Sequence, residues 1–258
     1  MSNTPIIRIK NLSKNYGTKQ VLKGINLEVN RGQVLGYIGP NGAGKSTTVK
    51  ILCGLLSDYE GEVTINGIDL KKDPLKAKSL IGYVPELAEL YDVLTPQEFL
   101  GFMGMLYGME ETLCNDRIHK MMTAFGLQDN LAQRMDTFSK GMKQKVLLAS
   151  GLLHNPEIII LDEPLSGLDA NSVIMVKDLI SKLAKDGKTI FYCSHMMDVV
   201  EKVSDRIVLI DKGVIVADGS FEALKQQEGN QSLEQIFSQL TSHDGAGNAA
   251  NQLMSAFD

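Results

Sequence analysis

An α/β fold with a mainly parallel sheet, a flanking antiparallel β-subdomain and an inserted helical subdomain is predicted by three features of this 258-residue chain. Residues up to Ile65 alternate apolar and polar positions in strand fashion. A middle stretch repeats apolar residues at helical spacing, and the remainder alternates short apolar runs with amphipathic segments. Strand–helix alternation of that last kind builds parallel sheets, whereas two-residue alternation closed by tight turns builds antiparallel ones.

The elements follow in order. Residues 6–10 read as a strand, and Ile25, Leu27 and Val29 share one face with Asn26, Glu28 and Asn30 between them. Residues 33–38 form a short buried strand, and residues 47–56 a helix. Glu62-Val63-Thr64-Ile65 runs into Asn66-Gly67, a dipeptide suited to a tight hairpin turn. Residues 81–84 give another strand, ended by Pro85. Thr95-Pro96-Gln97-Glu98 supplies an N-cap, a proline at the first helical position and a glutamate for a capping box. Phe99, Phe102, Met103, Leu106 and Tyr107 then make one apolar face. Further helices are predicted over 115–125 and 140–154, so residues 87–155 form the helical subdomain. Core and β-subdomain take 1–86 and 156–240. Strands at 158–161, 189–193, 206–210 and 214–217 are interleaved with helices at 173–185 and 197–203, and Asp211-Lys212-Gly213 turns the last strand pair. Leu233, Ile236, Phe237 and Leu240 add an amphipathic helical turn-pair. Residues 241–258 read as a short flexible tail, with Leu253, Met254 and Phe257 available for local docking.

Composition narrows the function classes. Twenty-six basic against 31 acidic residues give a net charge of −5, which argues against a broad nucleic-acid-binding surface. Cys53, Cys114 and Cys193 are scattered and form no C-x-x-C pair, as expected of reduced thiols rather than a disulfide framework or a zinc site. No apolar run approaches the roughly 18–20 residues that span a bilayer, and no signal-peptide pattern is evident. A soluble chain is expected, with any membrane role exerted through a partner. Met103, Met105, Met109, Met121, Met122 and Met142 read as core filler or as an adaptable groove for a partner helix.

Gly39-Pro40-Asn41-Gly42-Ala43-Gly44-Lys45-Ser46-Thr47 fits G-x-x-x-x-G-K-[ST]. Glycines let the backbone curl so that N–H groups meet phosphate oxygens, and the helix that follows presents its positive end. Lys45 can reach the outer phosphates and Ser46 can ligate Mg²⁺. With the flanking strand and helix, a P-loop NTPase core is expected. A second constellation, Ile158-Ile159-Ile160-Leu161-Asp162-Glu163-Pro164, is a buried strand ending in two carboxylates. Asp162 is placed to hold the Mg²⁺ shell and Glu163 to polarise an attacking water.

Phe138-Ser139-Lys140-Gly141-Met142-Lys143-Gln144 resembles the signature motif of ABC ATPases, Ser166-Gly167-Leu168-Asp169 their D-loop, and His195 their switch histidine. The match runs from about Ile6 to Gly219. The resemblance implies a RecA-like core, ATP and Mg²⁺ as ligands, adenine stacking on Tyr16, and a head-to-tail dimer with itself or a second ABC ATPase. In that dimer Ser139 and Gly141 would address the γ-phosphate held by the opposite protomer. His195 would sense the γ-phosphate and contact Glu163. Two departures stand out. Lys140 replaces a glycine, and with Lys143 it either favours an anion or is simply solvated. Glu86 stands where the family usually has a glutamine that ligates Mg²⁺ and contacts the helical subdomain. The implied function is the ATP-hydrolysing subunit of an exporter, cytoplasmic and held to the inner face of the membrane by a permease. A soluble non-transport ABC ATPase, of the iron–sulfur assembly type for example, and an ATP-binding regulatory switch are the alternatives. His119, His154 and His243 read as structural.

Overall fold

The computed structural model describes residues 4–87, 90–227 and 231–241. Strands β1 (Ile7–Tyr16) and β2 (Lys19–Val29) form an antiparallel ribbon, with Ile7 opposite Val29 and Tyr16 opposite Lys19. β1 is longer than the predicted strand because register shifts beyond Ile9 interrupt the two-residue period. Asn11 takes a positive φ of 49° there, and its N–H donates to Asn26 Oδ1 at 2.9 Å. Irregularities of this kind leave a strand paired while scrambling its pattern.

Chain order continues with β3 (Val34–Ile38), α1 (Lys45–Leu52), β4 (Glu60–Ile65), β5 (Ile68–Asp69), α2 (Pro74–Lys78) and β6 (Ile81–Val84). β4 and β5 are joined at Asn66-Gly67, both at positive φ (50° and 76°), as a tight hairpin requires. The first sheet has the order β2-β1-β4-β5. α1 begins earlier than predicted, at Lys45, and it ends earlier because Gly54 at φ 62° takes the left-handed conformation that closes a helix.

Helices α3 (Pro96–Leu106), α4 (Glu111–Ala124) and α5 (Lys140–Leu152) follow. The capping box at Thr95 and Glu98 is present as predicted. The buried face of α3 is a correction. Phe99, Leu100 and Gly104 are buried, whereas Phe102 and Leu106 are 44% and 65% exposed. α3 is apolar on almost every side, so spacing could not choose its inward face. A close approach chooses it: a side chain at Gly104 would collide with Cys114 Sγ on α4. Most of the methionines pack against the core and Met122 is fully buried, but Met105 is exposed.

The remaining elements are β7 (Ile158–Asp162), α6 (Ala170–Lys185), β8 (Thr189–Cys193), α7 (Met197–Val203), β9 (Arg206–Asp211), β10 (Val214–Gly219), α8 (Phe221–Gln227) and α9 (Leu233–Leu240). The sheet they complete has the order β10-β9-β3-β8-β7-β6, parallel throughout except for the antiparallel β9–β10 hairpin. Its central strands are buried on both faces, which explains their unbroken apolar text. Alternate residues serve two cores. Ile159, Leu161, Ile190 and Tyr192 pack with the α3–α5 helices, α6, α7 and α9. Ile158, Ile160, Phe191 and Cys193 pack with α1 and the antiparallel sheet. Asp162 continues the second series and so ends beside Cys193, towards α1. The short helices α2 and α8 were not anticipated. The tail beyond Thr241 lies outside the described residues, as does His243. Among the described residues no helix is long and apolar enough to cross a membrane.

Candidate active site

β3 delivers the chain into the glycine loop, and α1 leaves it. Gly42 and Gly44 adopt φ of 80° and 115°, which side-chain-bearing residues resist. A Cβ at Gly44 would also lie 2.6 Å from Leu22 Cδ2, and one at Gly39 would collide with the Ile210 carbonyl. The loop is thus seated directly on β2 and β9. α1 starts with no side-chain cap and no acidic residue in its first turn. Its N-terminal amides and positive dipole end therefore have no counter-charge of their own. Lys45 Nζ folds back over the loop and donates to the carbonyls of Gly39 at 2.6 Å and Pro40 at 3.2 Å. The Ala43 N–H donates to the Pro40 carbonyl, so this amide is used within the loop rather than aimed at a ligand. Thr48 anchors the helix from beneath, its Oγ1 donating to Gly44 O and meeting the buried Tyr37 hydroxyl at 3.3 Å.

Two strands across, β7 ends in Asp162. The carboxyl of Asp162 is raised above its ordinary value by burial first and by Glu86 and Glu163; a Cys193 hydrogen bond and Lys45 oppose the shift. Glu163 is buried and has φ 48°, a left-handed backbone on a non-glycine residue. Such a conformation costs on the order of 1–2 kcal/mol. Its N–H donates to Cys193 O at 2.9 Å, its Oε2 accepts from Ser194 Oγ at 3.0 Å, and its Oε1 lies 2.8 Å from His195 Nδ1.

These parts converge on one cleft of about 480 Å³. Of the residues singled out from sequence, Asn41, Gly42, Gly44, Lys45, Ser46, Thr47, Glu86, Asp162, Glu163 and His195 line it. Lys19 and Val21 of β2 line it as well and were not foreseen; only the folded ribbon brings them there. Ser194 was also passed over, although it directly precedes His195. Tyr16 is not among the lining residues. It is 48% exposed at the end of β1, opposite Lys19, with Lys14 Nζ 5.0 Å from its ring centre.

Ser139 and Gly141 lie apart from this cleft. Ser139 caps α5 by accepting from Met142 N at 3.2 Å, and a Cβ on Gly141 would lie 2.8 Å from the Gly167 carbonyl. Lys143 makes an ion pair with Asp92 at 2.6 Å, and Lys140 donates to Ser166 Oγ at 3.1 Å with its stem across Gly167.

The residues present fit a triphosphate with a hard dication. The glycines form a cradle that a Cβ would fill, a lysine stands over it, and Ser46, Glu86 and Asp162 supply oxygen donors. Among the described residues no cluster of three His, Cys, Asp or Glu would hold a metal unaided. Mg²⁺ commonly binds through one or two carboxylates together with substrate phosphates, and Asp162 and Glu86 are the carboxylates placed for it.

Parallel sheet, glycine loop, lysine and carboxylate-ended strand together define a P-loop nucleoside triphosphatase. Residues 22–166 match the family model described as ABC transporter. The linearmycin resistance ATP-binding protein LnrL of Bacillus subtilis is 36% identical over 231 residues, covering 90% of this chain and 74% of LnrL. The ABC transporter ATP-binding protein NatA of the same organism is 34% identical over 237 residues, covering 90% of this chain and 96% of NatA. A solved ATP-binding subunit of an ABC transporter superimposes with TM-score 0.86 at 33% identity, covering 92% of this chain and 99% of that one. A dimeric ATP-binding cassette in a post-hydrolysis state with ADP and Pi gives TM-score 0.77 at 28% identity, covering 83% and 98% respectively. The chain belongs to the ABC transporter family and is one of its ATP-hydrolysing cassettes.

Proposed function

We propose that this chain pairs head to tail with a second cassette, itself or a related one, around two ATP molecules, and drives a membrane-embedded permease in the direction of export. The observation that carries the reading is the split site. Lys45, Ser46, Asp162, Glu163 and His195 share one cleft, while Ser139 and Gly141 lie at the start of α5, elsewhere on the same chain. Two copies facing each other would bring the missing half to each cleft. The dimeric post-hydrolysis relative and the resistance name of LnrL support this arrangement and direction.

In this reading Tyr16 stacks on adenine beside Lys19. The glycine loop, from Gly39 through Pro40, Asn41 and Ala43 to Thr47, cradles the phosphates, and Lys45 exchanges its loop carbonyls for them. Ser46, Asp162 and Glu86 hold Mg²⁺, which when bound offsets negative charge on the phosphates. Glu163 accepts the proton of the attacking water, and His195, beside that carboxylate, senses the γ-phosphate. Ser139 and Gly141 of the facing cassette close on the γ-phosphate. Residues 87–155 act as the helical subdomain that meets the permease. The exposed apolar side chains Leu87, Tyr91, Val93, Phe102, Met105 and Leu106 favour a buried partner surface there. The permease would hold the chain at the cytoplasmic face of the cell membrane.

The test is ATPase turnover and oligomeric state of wild type against Glu163→Gln. The variant is expected to lose hydrolysis by at least about a hundredfold and to accumulate as a dimer in Mg·ATP. Equal turnover in both chains would refute the assignment of Glu163. Co-purification with a polytopic protein tests the transport role.

A further inference from the structure

Both oxygens of the Glu163 carboxylate are engaged, but by very different groups. His195, on Oε1, is largely exposed, whereas Ser194, on Oε2, is 1% exposed. We propose that Ser194 is the positioning residue for Glu163, a role that rests on Glu163 acting on the attacking water. A serine hydroxyl has one hydrogen to give. The Met196 N–H donates to Ser194 Oγ at 3.1 Å, so the oxygen accepts from one side and its hydrogen is left for Glu163. Met196 is the N-cap residue of α7 and has no side-chain cap, so the hydroxyl also serves an otherwise unpaired helix-end amide. Together with the Cys193 carbonyl on the Glu163 N–H, three successive residues grip the glutamate by its backbone and by both carboxylate oxygens.

The grip has work to do. Asp162 and Glu86 line the same cleft, and their repulsion would turn a free carboxylate away. Once His195 engages a phosphate, Ser194 is the side-chain donor that stays on Glu163. The neighbouring Tyr192 hydroxyl is buried and makes no hydrogen bond to Glu163, so it does not stand in for Ser194.

The experiment uses the purified full chain. Ser194→Ala should lower kcat for ATP hydrolysis roughly tenfold while KM for ATP moves less than about twofold. Ser194→Thr, which keeps the hydroxyl, should restore kcat to within about threefold. Ser194→Cys, close in size but a poor donor, should repeat the loss in a chain that keeps its packing. In a Glu163→Gln background, Ser194→Ala should change the residual single-turnover rate by less than about twofold, because the serine acts through the carboxylate. Wild-type kcat in Ser194→Ala overturns the proposal, and so does an equal loss in the Glu163→Gln background. If Glu163→Gln itself turns over like wild type, the catalytic reading fails and this one falls with it. If Glu163→Gln is inactive while Ser194→Ala is fully active, only the positioning role is lost.

Discussion

Glu163 carries a backbone that glycine would adopt freely, and this makes a stability inversion measurable. Compare Glu163→Ala with Glu163→Gly. Both lose the carboxylate and its bonds to Ser194 and His195, so the difference between them isolates the backbone. In an ordinary conformation glycine is the worse residue by roughly 0.5–1 kcal/mol, because it loses more freedom on folding. At φ 48° alanine instead bears a left-handed strain of about 1–2 kcal/mol. The glycine variant should therefore be the more stable, by up to about 1.5 kcal/mol, or as much as roughly 3–6 °C in Tm for a chain of this size. Urea unfolding followed by circular dichroism reads the difference directly, and both variants should be inactive. A glycine variant less stable than the alanine one would refute the reasoning, since it would mean that residue 163 bears no such strain.

The close approach of α3 to α4 gives a second prediction. Gly104→Ala drives a methyl into Cys114 Sγ and should destabilise by about 1–3 kcal/mol, and Cys114→Ala should recover most of that in the double variant, read by urea midpoints. A third concerns pH. His154 is stacked on Tyr107, ring centres 3.6 Å apart, and burial lowers its pKa from 6.5 to about 4. The unfolded chain then binds the extra proton first, so the stability from the neutral ring is complete above about 6.5 and fades as pH falls towards about 4. Replacing His154 with glutamine should flatten the fall in Tm across that window; an unchanged slope would exclude His154 as its source.

Local chemistry was legible wherever neighbours in sequence are also neighbours in space. The turn at Asn66-Gly67, the capping box at Thr95 and Glu98, and the strand of residues 189–193 all follow from short-range rules, and each appears in the fold. β1 was cut short because its bulged register breaks a periodicity that sequence reading depends on. The inward face of α3 was misread because nearly every position on it is apolar. Lys19 and Val21 entered the cleft unannounced, since nothing in β2 itself marks proximity to a loop that follows it.

For the site, the sequence by itself determined the chemistry available: a glycine loop ahead of a lysine, a strand ending in two carboxylates, and a histidine after an apolar run. Those are properties of residue types at fixed separations along the chain. What only tertiary structure decided is how these groups hold one another. Ser194 reaches Glu163 because β8 lies beside β7, and Lys140 reaches Ser166 because the signature helix packs under the loop after β7. Hydrogen bonds are made through space at about 3 Å, and the residues joined in these two are brought that close by strand order and helix packing rather than by their spacing in the chain.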